Sequence, residues 1–223
     1  NGGHIKCVAP DGTVLASLQH AYRVNVFNPA VFGNRLYFVN SLGFVVCHSL
    51  DTLEQVWMKR LFVAPGGSGL AMSLHKDMLL IPGRMKASTD GEDCVIAVNP
   101  DDGTIKWCCN FDTTKTNVYN TFPQVVDLED LKLVVCGTQS GGFTAVHLAD
   151  GSRYDEHHPP KSFTTGGPTL GPNDGMLYNA HNHPGSGPNG MGGNAGQVYA
   201  YDLKTKSHKW AYDCSRPWAP QHP

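Results

Sequence analysis

Apolar residues in this chain fall into runs of four to seven, separated by Gly, Pro, Asn and Asp, with no stretch at helical spacing. Runs of that length between turn formers predict short antiparallel strands. The clearest is VIAVNPDDGTIKW, residues 95–107, which reads as a strand, a tight turn at Asp101-Asp102-Gly103, and a second strand ending on Trp107. The same figure returns as IKCVAPDGTVLAS (5–17), FVVCHSLDTLEQVW (44–57), FTAVHLADGSRY (143–154) and VYAYDLKTKSHKW (198–210). Trp57, Trp107 and Trp210 close three copies, Tyr154 takes that place in another, and the first ends in Leu15-Ala16.

The closing aromatics are spaced by 50, 47 and 56 residues, and a further pair of strand-like runs precedes each hairpin from the second onward. Four strands per unit of that length predict an all-β fold, a β-propeller of four-stranded antiparallel blades. The units are an outer hairpin at 1–19, blades at 20–62, 63–112, 113–158 and 159–215, and a tail at 216–223. A closed ring hides its sheet edges and an open arc exposes them. The expectation is therefore an arc of a seven- or eight-bladed ring, completed by a longer chain or by another polypeptide. A Trp repeated once per blade is expected to dock one blade on the next. Trp57, Trp107, Tyr154 and Trp210 are accordingly assigned to structure.

These hairpins, with Asp before the turn and Trp four or five residues on, resemble the PQQ-like repeats of the quinoprotein alcohol dehydrogenase-like propellers. That superfamily includes the pyrroloquinoline quinone (PQQ) dehydrogenases and bacterial outer-membrane assembly lipoproteins. The resemblance implies a propeller and an exported location: periplasm, extracellular space or an organelle lumen. It also raises an enzymatic alternative, a PQQ- and Ca²⁺-dependent alcohol or sugar dehydrogenase. In those enzymes a disulfide between adjacent cysteines lies against the cofactor, which puts forward Cys108 and Cys109. Here that pair follows Trp107 on an outer strand, where neighbouring side chains face opposite ways. Two separate packed thiols suit that position, and Cys7 and Cys47 read as small buried residues. No catalytic residue is assigned, and no local motif matches a cofactor's ligand set.

In a four-stranded meander the Asp-Gly turns share one face with the turns between the first two strands of each blade. The longer segments 83–93, 109–120, 155–167 and 181–196 belong to the opposite face, where function concentrates on a rigid scaffold. Two of these segments bring Asp155, His157, His158, His181 and His183 towards one blade. Imidazoles with a carboxylate suit a divalent metal; the alternative is a set of solvated loop histidines.

A formal charge of −2 without runs of Lys or Arg argues against nucleic acid, and no apolar run is long enough for a membrane span. The seven cysteines form no CxxC pair. The reading preferred from the sequence is a non-catalytic scaffold that binds a protein partner or ligand through its loop-rich face. The dehydrogenase is the alternative, and a carbohydrate-binding propeller is a third.

Overall fold

A computed structural model describes residues 3–23, 29–63, 71–84, 93–111, 122–159, 164, 167–172, 174–182 and 196–214. These residues form 18 strands and no helix. The first two, β1 (Gly3–Val8) and β2 (Val14–His20), pair as a two-stranded sheet. Four antiparallel sheets of four strands follow. They are β3 (Ala30–Phe32), β4 (Arg35–Val39), β5 (Phe44–Ser49) and β6 (Gln55–Arg60); then β7 (Ser73–His75), β8 (Met78–Arg84), β9 (Asp93–Val98) and β10 (Ile105–Asn110). The next pair comprises β11 (Gln124–Asp127), β12 (Lys132–Gly137), β13 (Phe143–His147) and β14 (Arg153–His157); then β15 (Thr169–Leu170), β16 (Met176–Asn182), β17 (Gly196–Asp202) and β18 (Ser207–Asp213). Each sheet is a meander in chain order, as expected of propeller blades.

The burial pattern records how the sheets stack. Every residue of β9 is buried, because neighbouring sheets cover both of its faces, and its sequence is accordingly a continuous apolar run, Cys94 to Val98. One core links Val45 and Trp57 of the second sheet with Ile96 of the third and Val146 of the fourth. In the last sheet β16 alternates instead: Leu177, Asn179 and His181 are buried while Tyr178, Ala180 and Asn182 are exposed. Among the described residues, one face of that sheet is covered and the other is open.

The outer turns and closing aromatics join the sheets. In the turns after β5, β9 and β13, the amides of Leu53, Gly103 and Gly151 donate to the carbonyls of Ser49, Asn99 and His147 at 3.0, 2.8 and 2.9 Å. Leu50, Pro100 and Leu148 therefore hold equivalent places. Trp57 Nε1 donates across the interface to Pro100 O at 2.9 Å, and Trp107 Nε1 to Leu148 O at 3.1 Å. Both rings are buried, at 9% and 7% exposure.

A bulge precedes the closing register position in each four-stranded sheet, and in the fourth it falls on the aromatic itself. In the fourth sheet Asp155 lies opposite Ala145, the register position that Trp107 holds opposite Ala97. Tyr154 is the bulged residue before it, one step from the position expected, yet its Oη reaches the same kind of acceptor, Leu203 O, at 2.8 Å. Trp210 holds the Trp position opposite Ala200 but is 47% exposed on the open face of the last sheet, its ring beside Tyr178 with centroids 6.2 Å apart. Among the described residues no sheet covers it. Cys47, on β5 between β4 and β6, is buried as expected, whereas Cys7 is exposed: its strand β1 pairs with β2 alone among the described residues, and Ala16 opposite it brings no ring.

Candidate functional site

The contact between the fourth and fifth sheets differs in chemistry from the others. Where the two preceding interfaces have an indole, this one has Asp155, which accepts a hydrogen bond from Tyr201 Oη at 2.7 Å. Two residues on, His157 ends β14 opposite Phe143 and faces the fifth sheet. Its ring lies 4.5 Å, centroid to centroid, from His208, 5.6 Å from Tyr199 and 6.0 Å from Tyr201. His208 packs edge-on against Tyr201, and His181 tilts against Tyr199 at 5.9 Å.

This cluster is held by a buried lock at the Gly141-Gly142 turn. Asn179 Nδ2 and Tyr199 Oη both donate to Gly141 O, at 2.9 and 3.0 Å. The turn needs two glycines for separate reasons. Gly141 has φ +76° and a Cβ there would collide with His181, while a Cβ at Gly142 would collide with the carbonyl of His157.

Burial, then the imidazoles of His208, His158 and His181, push the His157 pKa down to about 4. Burial likewise pushes the Tyr199 phenol up to about 12. At neutral pH the interface therefore carries a neutral His157 and a protonated Tyr199, which suits packing and hydrogen bonding rather than charge.

Of the candidate metal ligands, Asp155, His157 and His181 share this interface, and His158 lies beside Glu156 with Nε2 to Oε2 at 3.6 Å. His183 lies outside the described residues. Among the described residues no group of three or more His, Cys, Asp or Glu side chains is arranged to hold a metal ion. Sequence reasoning missed His208, Tyr199, Tyr201 and Asn179. The Tyr199/Tyr201 alternation on β17 was the available signal, since period two puts both on one face.

Cys108 and Cys109 are free thiols on β10, the first exposed and the second buried. The Cys108 and Cys109 sulfurs each contact Asn110, at its side-chain oxygen and its carbonyl respectively, both at 3.6 Å. A PQQ–Ca²⁺ pair calls for six to eight oxygen ligands around the ion and a quinone-facing pocket. The described residues do not fit it: the cluster is nitrogen- and phenol-rich, its Asp155 is taken by Tyr201, and Trp57 and Trp107 are closed between sheets.

Comparison with known proteins agrees with this architecture. A search of the curated proteins finds no match. Among solved structures, BamB from Moraxella catarrhalis superposes with a TM-score of 0.64 at 14% identity, over 94% of this chain and 58% of that one. The chain thus spans less than two thirds of that protein's length. Quinohemoprotein alcohol dehydrogenase from Comamonas testosteroni aligns at TM-score 0.59 and 15% identity, over 86% of this chain and 35% of that one. Quinohemoprotein alcohol dehydrogenase ADHIIG from Pseudomonas putida HK5 gives 0.59 and 12%, over 87% and 34%. At these identities the superpositions show the fold alone. A family model described as outer membrane protein assembly factor BamB matches residues 1–169, so this chain belongs to that PQQ-like repeat family of β-propellers.

Proposed function

We propose that this chain is a non-catalytic binding module, a propeller scaffold that engages a protein partner through its loop-bearing face. The observation that carries this reading is how the chain divides its two faces. The repeated aromatics and short turns are committed to sheet-to-sheet contacts, as with Trp57 on Pro100, Trp107 on Leu148 and Tyr154 on Leu203. The longer connections, β8 to β9, β10 to β11 and β16 to β17, all leave from the opposite strand ends. Connections of that kind on a rigid scaffold are where binding residues concentrate. Membership in the family of an outer membrane assembly factor supports a protein partner and an exported location.

The test is affinity capture from a cell extract with the full chain and with a variant carrying Gly-Ser repeats at 183–195. A specifically captured protein should be lost in the variant, and undiminished capture sinks the reading. Alcohol-dependent dye reduction that requires added PQQ and Ca²⁺ would replace it with the quinoprotein dehydrogenase.

A further inference from the structure

The first interface lacks the ring that fastens the others. Ala16 lies opposite Cys7, the register position that Trp57 and Trp107 hold opposite Cys47 and Ala97. In the turn it faces, Leu50 stands where Pro100 and Leu148 accept an indole N–H, and Leu53 stands where Gly103 and Gly151 lie against the ring. Leu53 keeps the turn's positive φ, +59°, so its side chain enters space that those glycines leave to the aromatic. It does not fill that space. A cavity of about 500 Å³ remains, lined by Cys7, Ala16, Leu18, Leu36, Leu50 and Leu53 among others. That volume falls within the roughly 300–1,000 Å³ of ligand-binding clefts.

We propose that this cavity receives a Trp or Tyr side chain from a partner protein, its N–H or O–H directed at the carbonyl of Leu50. The chain presents the same carbonyl acceptor at three other interfaces and fills the space before it from within, with Trp57 over Gly103, Trp107 over Gly151, and Tyr154 beside Lys206, a non-glycine that keeps positive φ as Leu53 does. Among the described residues, only at Ala16 is that acceptor present without an aromatic of its own. A protein source is favoured by the neighbouring hairpin, where Val8, Val14 and Leu15 are 51%, 50% and 65% exposed beside the lining residues Cys7 and Ala16. Apolar surface around an aliphatic pocket is an arrangement that anchors a partner's Trp or Tyr. This site is separate from the loop-bearing face and does not rest on that assignment.

The test is titration of the ¹⁵N-labelled full chain with N-acetyl-L-tryptophanamide, followed by amide shifts. Saturable shifts are expected at Cys7, Leu18, Leu50 and Leu53, with several-fold weaker binding of the indole N-methyl analogue, which cannot donate to Leu50. Ala16→Trp fills the cavity and should abolish the shifts; if that variant does not fold, Ala16→Leu should weaken binding at least several-fold. Non-saturating shifts, or binding undiminished in the folded variants, overturn the proposal. Self-association abolished by both Ala16→Trp and Trp210→Ala would assign the cavity to a second copy and overturn it as well.

Discussion

The indole of Trp107 lies so close over Gly151 that a Cβ built on that glycine would sit 2.5 Å from the ring's Cε3. Gly151 also has φ +72°, so an alanine there meets two penalties, a backbone one of about 1–2 kcal/mol and displacement of the ring. Trp107→Ala should cost about 3–5 kcal/mol, the usual range for emptying a buried aromatic site. Gly151→Ala should cost about 2–4 kcal/mol. Because they act on one contact, the double variant should lose less than the two single losses added together. Urea denaturation of the four proteins checks this, and strict additivity would separate the two residues.

Lys206 meets the same turn constraint by other means. It keeps φ +51° and lays its ammonium 4.0 Å from the centroid of the Tyr154 ring, while Nζ donates to Tyr154 O at 2.8 Å. Lys206→Ala keeps the backbone strain and loses both contacts, a cost of about 1 kcal/mol. Lys206→Gly loses the same contacts but relieves the strain, and should melt above the alanine variant. The reverse order would show that the backbone is unstrained there.

The His157 pKa, lowered to about 4 in the folded chain against an unfolded value near 6.5, fixes a pH dependence. Between those values the unfolded state binds more protons, so stability rises with pH. The contribution of neutral His157 is complete above about pH 6.5 and is lost as pH falls towards 4. Melting temperature should drop across that window, and His157→Gln should flatten the drop. An identical slope in the variant removes His157 from the explanation.

Thiol chemistry offers a further check of the strand assignments. Cys7, Cys108 and Cys214 are exposed, while Cys47, Cys94, Cys109 and Cys136 are buried. The Cys108 sulfur beside it and then burial push the Cys94 thiol up, and burial does the same to Cys136, which slows both further. An aromatic disulfide reagent should titrate three thiols quickly in the native protein and all seven in denaturant. Rapid modification of Cys109 would place both neighbours on one face of β10.

Much of the architecture was legible because it is repeated. Runs such as Val95 to Val98, the glycines at 103 and 151 and the tryptophans at 57 and 107 state strand, turn and fastener within single stretches of chain. What depended on two stretches meeting was not legible. The bulge at Tyr154 shifts the aromatic by one residue and gives its register place to Asp155, which no local pattern announces. His208 joins His157 only because β18 packs across from β14, and neither segment names the other. The cavity at Ala16 goes with a missing ring, and an alanine in a strand looks ordinary until its counterparts are aligned in register.

The three fastening bonds all end on backbone carbonyls, those of Pro100, Leu148 and Leu203. A carbonyl is supplied by every residue, proline included, so the acceptor itself asks only for the right backbone path. Pro-Asp-Asp, Leu-Ala-Asp and Leu-Lys-Thr serve equally, and substitution there erases sequence likeness while leaving the joint intact. This chain superposes on solved propellers at 12–15% identity. A joint that ends on backbone holds two sheets together while leaving the side chains of the receiving turn open to change.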